Sequence, residues 1–425
     1  MTETIFALSS GAPPAAIAVI RISGAEAGSA LSALAGKLPE PRRAVAVILR
    51  DVFGEVLDKA LALWLPGPAT ATGEDMAELH CHGGRAVIAS VEAALASMPK
   101  LRRATSGEFT RRAFVGGKID LAEAEGLADL LSAETELQRK SALALAGGAL
   151  SRQVDDWRTR LLDCSAAIEA ALDFADEDDV ASLPLDFGGK LEALREEIAD
   201  WLTRPRAEPL REGFRVILAG PPNSGKSTLF NALVESEAAI TAPIAGTTRD
   251  VLTHPVAIEG IPFCFADTAG LRDETGDTIE AIGMKRARAA MADADLVLWL
   301  GPEEEGPAGA WELEPQIDRP GHAAKRGPRH RLSAVTGRGM DALRRDLVAH
   351  ARESLPRPGA VALNQRQHGL LGEATAALSA ALQQSDPLLA AENLRLARLA
   401  FDALLGRTTT EDMLDALFGR FCIGK

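Results

Sequence analysis

Gly220-Pro221-Pro222-Asn223-Ser224-Gly225-Lys226-Ser227 follows directly on the apolar run Phe214-Arg215-Val216-Ile217-Leu218-Ala219, and this junction decides the fold around it. The eight residues fit G-x-x-x-x-G-K-[ST]. Glycines let the backbone curl until several N–H groups point inward at phosphate oxygens. A helix opening at the end of the loop adds its positive terminus, Lys226 adds a charge, and the Ser227 hydroxyl suits Mg²⁺. Asn223, Ser224, Gly225, Lys226, Ser227 and Thr228 are therefore expected at the phosphates of a nucleotide. Outward from the loop, over 211–354, apolar runs at 214–219, 261–266, 296–300 and 329–332 alternate with helical texture. That rhythm predicts a doubly wound parallel sheet. The run 261–266 leads into Asp267-Thr268-Ala269-Gly270. A carboxylate at the end of a parallel strand beside a phosphate loop can hold Mg²⁺ through water, and the Gly270 amide can sense a γ-phosphate. Between them lies Ala242-Pro243-Ile244-Ala245-Gly246-Thr247-Thr248-Arg249-Asp250, where Thr248 offers Mg²⁺ a second hydroxyl. In this order and spacing the three motifs predict a switch-loop NTPase.

The flanks read differently. Residues 1–117 mix β-like runs at 15–22, 44–49 and 60–65 with Gly/Pro turns and a helix around 87–98, an α+β texture. From 118 to 210 the pattern is helical. Leu150, Val154, Trp157, Leu161, Cys164, Ile168 and Leu172 form one apolar stripe, so Trp157 and Cys164 are expected to pack. Helical texture returns over 355–425. The simplest topology is a helical domain interrupted by an inserted α/β domain.

Composition sets outer limits. The 425 residues hold 47% hydrophobic and 25% charged side chains, the mix of a soluble multidomain protein. With 46 basic against 60 acidic residues the formal net charge is −14, which excludes a nonspecific nucleic-acid coat while leaving room for a local RNA patch. The basic clusters Arg102-Arg103, Arg111-Arg112, Lys325-Arg326 and Arg395/Arg398 are candidates for such a patch, although each alone reads as solvated surface. Four scattered cysteines exclude a disulfide scaffold or a zinc ribbon. His80-Cys81-His82 has metal-type ligands without a second cluster and reads as turn or core. No basic stretch precedes Arg21 and no apolar run is long enough to span a bilayer, so a cytoplasmic protein off the membrane is expected.

One substitution shapes the chemistry. Leu271 follows Gly270 where many GTPases place a water-positioning Gln, so hydrolysis must recruit charge and a water-positioner elsewhere. By spacing, Glu280 reads equally as that positioner or as a solvated helix carboxylate.

With these residues in hand, the whole chain resembles the tRNA-modification GTPases of the MnmE (TrmE) family. The resemblance rests on Arg21-Ile22-Ser23-Gly24, Gly73-Glu74-Asp75, Glu78-Leu79, His82-Gly83-Gly84, Gly107-Glu108-Phe109-Thr110, Lys118-x-Asp120-Leu121, the three nucleotide motifs and Cys422-Ile423-Gly424-Lys425. It implies a multidomain fold: an α+β folate-binding-like domain that dimerises (1–117), a helical domain in two parts (118–210 and 355–425), and an inserted α/β P-loop GTPase domain of Ras-like type (211–354). It also implies a GTPase that, with an FAD-dependent partner of the MnmG/GidA type in a heterotetramer or larger, builds a (carboxymethyl)aminomethyl group on C5 of the wobble uridine of certain tRNAs. The one-carbon unit comes from 5,10-methylene-tetrahydrofolate, with 5-formyl-tetrahydrofolate as an analogue. Arg21, Glu78, Lys118 and Lys425 match folate contacts. Asn223, Ala242, Ile244 and Thr247 match the K⁺ site, and Ser227 and Thr248 the Mg²⁺ ligands. Glu280 matches the catalytic glutamate, and Cys422, otherwise readable as a small packed residue, gains a role near the folate or uridine.

The chain departs from the pattern where a guanine-reading N-K-x-D is expected. Pro315-Gln316-Ile317-Asp318 keeps only Asp318, which can still accept from the N–H edge of guanine, with Ser333-Ala334 downstream. Gly301–Gly306 reads as a short, loose loop, and Gly11-Ala12-Pro13-Pro14 replaces a more glycine-rich turn. Two other readings stay open: a regulatory or assembly switch GTPase without modification chemistry, and a scaffold that has lost its nucleotide.

Overall fold

The computed structural model describes residues 3–173, 184–234, 253–267, 291, 294–322, 324–408, 411–419 and 421–424. The chain divides into two compact units, one of Met1–Ala128 with Asp402–Lys425 and one of Asp129–Phe401.

The first unit is built on β1 (Thr4–Leu8), β2 (Ile17–Ser23), β3 (Val45–Arg50), β4 (Val56–Leu65), β5 (Met76–His82) and β6 (Leu101–Arg103), in the order β3-β4-β5-β2-β1-β6. All neighbours are antiparallel except β1 and β6. The strands expected at 15–22, 44–49 and 60–65 are β2, β3 and β4. Strand periodicity sorts the residues of β2: Ala18, Ile20 and Ile22 are buried, while Val19 and Arg21 look to the other face. The buried set packs with Leu31 and Leu34 of α1 (Ala27–Ala35) and with Val91 and Leu95 of α2 (Arg85–Ala96). Helices therefore cover one face of the sheet, and Arg21 and Glu78 stand on the other. A separate cluster joins Leu121 and Ala124, at the start of α4 (Leu121–Ser132), to Leu414 and Phe418 of the helix Glu411–Phe418 and to Phe421.

The second unit carries β7 (Phe214–Ala219), β8 (Thr253–Ile258), β9 (Ile261–Asp267), β10 (Leu296–Trp299), β11 (Trp311–Glu314) and β12 (His330–Arg331). Their order is β12-β11-β10-β7-β9-β8, parallel throughout except for the edge strand β8. This is the doubly wound sheet expected from the sequence. β11 has no clear signal there, because Trp-Glu-Leu-Glu is four residues long and half acidic. Parallel strands all end on the same rim, so the segments following β7, β10, β11 and β12 gather at one edge.

The helical part of this unit includes α6 (Ala149–Asp173), α7 (Phe187–Leu202) and the helix Gln365–Gln383, which packs on α7. On α6 the apolar stripe is buried from Leu150 to Ile168. Trp157, fully buried, lies edge-on to Trp201 at 5.4 Å and stacks on Phe401 at 6.1 Å, so it packs as the sequence predicts. Where the chain passes from helices to sheet and back, Arg206 and Leu363 form a bridge, and Ala207 N–H donates to the Leu363 carbonyl at 3.0 Å. Both crossings are therefore adjacent, the geometry that an insertion requires. Among the described residues, no helix is long and apolar enough to cross a membrane.

Candidate functional site

The loop Gly220–Ser227 connects central strand β7 to α9 (Lys226–Val234). Gly225 has φ +93°, and a Cβ there would sit 2.9 Å from the Gln316 amide nitrogen. Only glycine satisfies both constraints. Lys226 is 6% exposed and its ammonium donates to the Gly220 and Pro221 carbonyls at 3.0 and 2.8 Å. A buried cation thus lies against the loop itself. The Ser224 hydroxyl oxygen is buried and has no hydrogen-bond partner among the described residues. A buried orphan hydroxyl beside a buried ammonium is the arrangement expected of a cradle whose acceptor arrives with a ligand. Ser227 and Thr228 stand exposed on the first turn of α9. These residues fit a nucleotide triphosphate with Mg²⁺.

On the same rim, Asp318 follows β11 and Ser333 follows β12, and the two meet. The Ser333 hydroxyl hydrogen-bonds the Asp318 carboxylate and holds it below the ordinary carboxylate range. Ser333 is fully buried, whereas Asp318 is exposed. Asp267 closes β9, and Ala334 is half-buried beside Ser333. The expected site residues at 242–248 and 268–270, with Glu280 and Lys425, lie outside the described residues.

The segment 301–306 is not the loose loop its composition suggests. Trp299 Nε1 donates to the Pro302 carbonyl at 2.8 Å. Glu303 accepts from the backbone N–H groups of Arg326 and Gly327 at 2.9 and 2.7 Å. Those partners are more than twenty residues away, so no local pattern reveals them. Glu314, 3% exposed at the end of β11, accepts from Lys325 N–H and Arg331 Nε and meets His322 Nε2. Burial works against its charge, and these partners outweigh it and hold the carboxyl below its usual range.

In the first unit, Arg21 on β2 and Glu78 on β5 are register partners, and Arg21 Nε donates to Glu78 Oε1 at 2.8 Å. The other oxygen, Oε2, lies 3.3 Å from His80 Nε2. Burial opposes ionisation of Glu78, but the hydrogen bonds from Arg21 and His80 outweigh it and its carboxyl falls below the usual range. His80 is therefore neither turn nor core: strand alternation puts it on the Arg21 face, half-buried. His82 Nδ1 pairs with Asp58 at 2.7 Å. Cys81 points to the opposite face, where burial and then the Asp58 charge push its thiol up to about 12. The period of two thus sets Cys81 on the face opposite the two histidines. Lys118 lies between the helix Glu108–Val115 and α4, its Cε 3.0 Å from where a Cβ on Gly73, in the loop ahead of β5, would be. Near the chain's end Ser9 Oγ donates to the Gly424 carbonyl at 2.7 Å, Ser106 bridges Ile423, and Cys422 is exposed.

A cavity of about 1100 Å³ opens among Glu74, Arg102, Glu108, Arg111, Arg112 and Lys118. Most of these charges are paired. Arg102 grips Glu108 through both terminal nitrogens at 2.8 and 2.6 Å, Arg112 reaches Glu108 and Glu74, and Arg111 pairs with Asp415 and Glu411. Burial opposes ionisation of Glu108; Arg102, the Thr105 N–H and Arg112 outweigh it and bring its carboxyl down to about 2. Lys325 and Arg395 likewise pair with Glu312 and Glu392. The basic clusters that composition offered to tRNA phosphates are largely committed to carboxylates. Gln316 carries no usable sequence signal, since its partner Asn223 is 93 residues away, whereas the contact of His80 with Glu78 is an i,i+2 pair on one strand that alternation alone could have suggested.

Comparison with known proteins identifies the family. The model described as "GTP-binding protein TrmE N-terminus" matches residues 4–118, and that described as "MnmE helical domain" matches 121–422. A curated "tRNA modification GTPase MnmE" of Novosphingobium aromaticivorans is 66% identical over all of both chains, and that of Erythrobacter litoralis is 64% identical over all of both. Among solved structures, the G domain of the T. maritima FeoB iron transporter is 27% identical, covering 32% of this chain and 98% of its own at a TM-score of 0.24. On the family matches and the full-length relatives, the chain belongs to the family of the tRNA modification GTPase MnmE.

Proposed function

We propose that this chain hydrolyses GTP in a K⁺- and Mg²⁺-dependent reaction and, with an FAD-dependent partner of the MnmG/GidA type, modifies C5 of the wobble uridine of certain tRNAs in the cytoplasm. The observation that carries the reading is the Gly220–Ser227 cradle, with its buried Lys226 ammonium and unpartnered Ser224 hydroxyl, on the strand-end rim that also joins Asp318 to Ser333. Residues 211–354 form the G domain, 118–210 and 355–425 the helical domain, and 1–117 the folate-binding and dimerisation domain.

In the hydrolytic step the loop N–H groups and Lys226 take up phosphate charge and bring the scissile bond into line. Ser227 and Thr248 would hold Mg²⁺, with Asp267 reaching it through water, and Asn223 with Ala242, Ile244 and Thr247 would hold K⁺, which would supply the positive charge that an arginine finger supplies elsewhere. Glu280 orients the attacking water. Asp318 accepts from the guanine edge, backed by Ser333. In the modification step Arg21 and Glu78 fit a folate through complementary chemistry: a guanidinium for carboxylates and a carboxylate for an amide-like N–H edge. Lys118 and Lys425 add charge, and Cys422 is the nearby thiol.

The test compares GTP hydrolysis in KCl and NaCl for the wild type and Glu280→Ala. Hydrolysis is expected to be faster in KCl and abolished in the variant with GTP binding spared; equal rates in both salts remove the K⁺ site. Calorimetric binding of 5-formyl-tetrahydrofolate separates this reading from a switch GTPase, which has no use for Arg21 and Glu78.

A further inference from the structure

Gln316 stands where a guanine-reading loop of the N-K-x-D kind would carry lysine, and its side chain crosses to the phosphate loop. Its Nε2 donates to the Asn223 carbonyl at 3.3 Å, and the same nitrogen lies 2.9 Å from where a Gly225 Cβ would be. Its Oε1 accepts from Arg319 Nη1 at 3.3 Å, while Arg319 N–H donates to the Gln316 carbonyl at 2.9 Å. Both Gln316 (φ 58°) and Asn223 (φ 63°) hold left-handed backbone conformations, uncommon outside glycine, and the bond joins those two residues. Two residues on, Asp318 is fixed to Ser333.

We propose that Gln316 is a positioning residue for purine recognition, an uncharged clamp whose amide fastens the loop bearing Asp318 to the phosphate loop at Asn223. A lysine can only donate. The glutamine amide donates to the phosphate loop and accepts from Arg319, so both of its hydrogen-bonding ends are used to set the span from base reader to phosphate cradle. With that span fixed, a purine whose edge suits Asp318 and a diphosphate that suits Lys226 are satisfied together. Released, either end is satisfied only at the cost of ordering the loop.

This inference rests on the GTP reading above. It is tested with the full-length protein, comparing wild type, Gln316→Ala and Gln316→Lys. Fluorescent GDP and ADP analogues give dissociation constants, and steady-state hydrolysis in KCl gives KM and kcat for GTP. Gln316→Ala is expected to weaken GDP and raise KM for GTP about tenfold, the scale of one lost neutral hydrogen bond plus loop order. The GDP-over-ADP preference should shrink, kcat at saturating GTP should stay within about twofold, and Gln316→Lys should recover GDP affinity by donating to the same carbonyl. A Gln316→Ala protein that binds GDP within about twofold of wild type overturns the clamp. So does one that loses kcat at unchanged KM with no recovery in Gln316→Lys, since that is damage to the fold. A wild type that binds no GDP overturns the GTP reading first and the clamp with it, so the two failures are told apart before any variant is made.

Discussion

Replacing Glu108 by Gln tests the ion network of the first unit quantitatively. The Glu108 side chain is 11% exposed and is held by Arg102 at 2.8 and 2.6 Å, Arg112 at 3.1 Å and the Thr105 N–H at 3.0 Å. Its carboxyl lies at about 2 against an ordinary 4.5, a difference worth about 3 kcal/mol favouring the fold at neutral pH. The folded value is the depressed one, so the contribution is complete above the unfolded value of 4.5 and fades as pH falls toward 2. At pH 3 roughly 1.5 kcal/mol remains. Glu108→Gln keeps the shape and removes the charge. Hydrogen exchange of α3 (Glu108–Val115), corrected for the intrinsic rate at each pH, reports local opening there. At pH 7 the variant should exchange on the order of a hundredfold faster than wild type, and at pH 3 only about tenfold faster. Equal exchange at pH 7, or a difference that fails to narrow at pH 3, refutes the reasoning. The network also matters for the site: Arg112 donates to Glu74 and to the Ser23 carbonyl, tying β2 to the loop against which Lys118 rests.

Lys226→Ala removes the ammonium from the Gly220 and Pro221 carbonyls, and GDP affinity should drop more than about a hundredfold, measured by calorimetry, with the melting temperature held. Retained affinity would mean that the backbone alone carries phosphate binding. Trp157→Ala empties the space between Trp201 and Phe401 and should cost about 3–5 kcal/mol in urea unfolding followed by circular dichroism; a loss under about 1 kcal/mol would mean that the site collapses. Arg21→Ala takes away the leading hydrogen bond that depresses Glu78, so that carboxyl should titrate at higher pH by carbon-13 NMR and 5-formyl-tetrahydrofolate binding should weaken. An unmoved Glu78 titration would contradict the pairing seen at 2.8 Å.

Much of the nucleotide unit was legible because its signals are local. The phosphate loop declares itself within eight residues, through glycines needed for backbone geometry and a Lys-Ser pair needed for charge and metal. The strands on either side announce themselves as apolar runs. β11 was not legible: it is four residues long, two of them Glu, and it is stabilised by partners at positions 322, 325 and 331. For the same reason Gly301–Gly306 looked loose while the fold fastens it through Glu303 to 326 and 327.

The amino-acid order alone pointed to a nucleotide loop between an apolar strand and a helix, flanked by helical texture, since turn propensity, hydrophobic period and charge are properties of neighbouring residues; Arg21 and Glu78 it linked only through the family resemblance. Only tertiary structure decided that Arg21 pairs with Glu78, that Cys81 is sealed on the opposite face, that the arginines at 102, 111 and 112 pair with carboxylates, and that Gln316 reaches Asn223. Most of those outcomes depend on strand register and on contacts between residues tens to hundreds of positions apart, such as Arg21 with Glu78, Arg111 with Asp415 and Gln316 with Asn223. A side chain's partner there is chosen by which backbone the sheet lays beside it, and that choice is written nowhere in its immediate sequence.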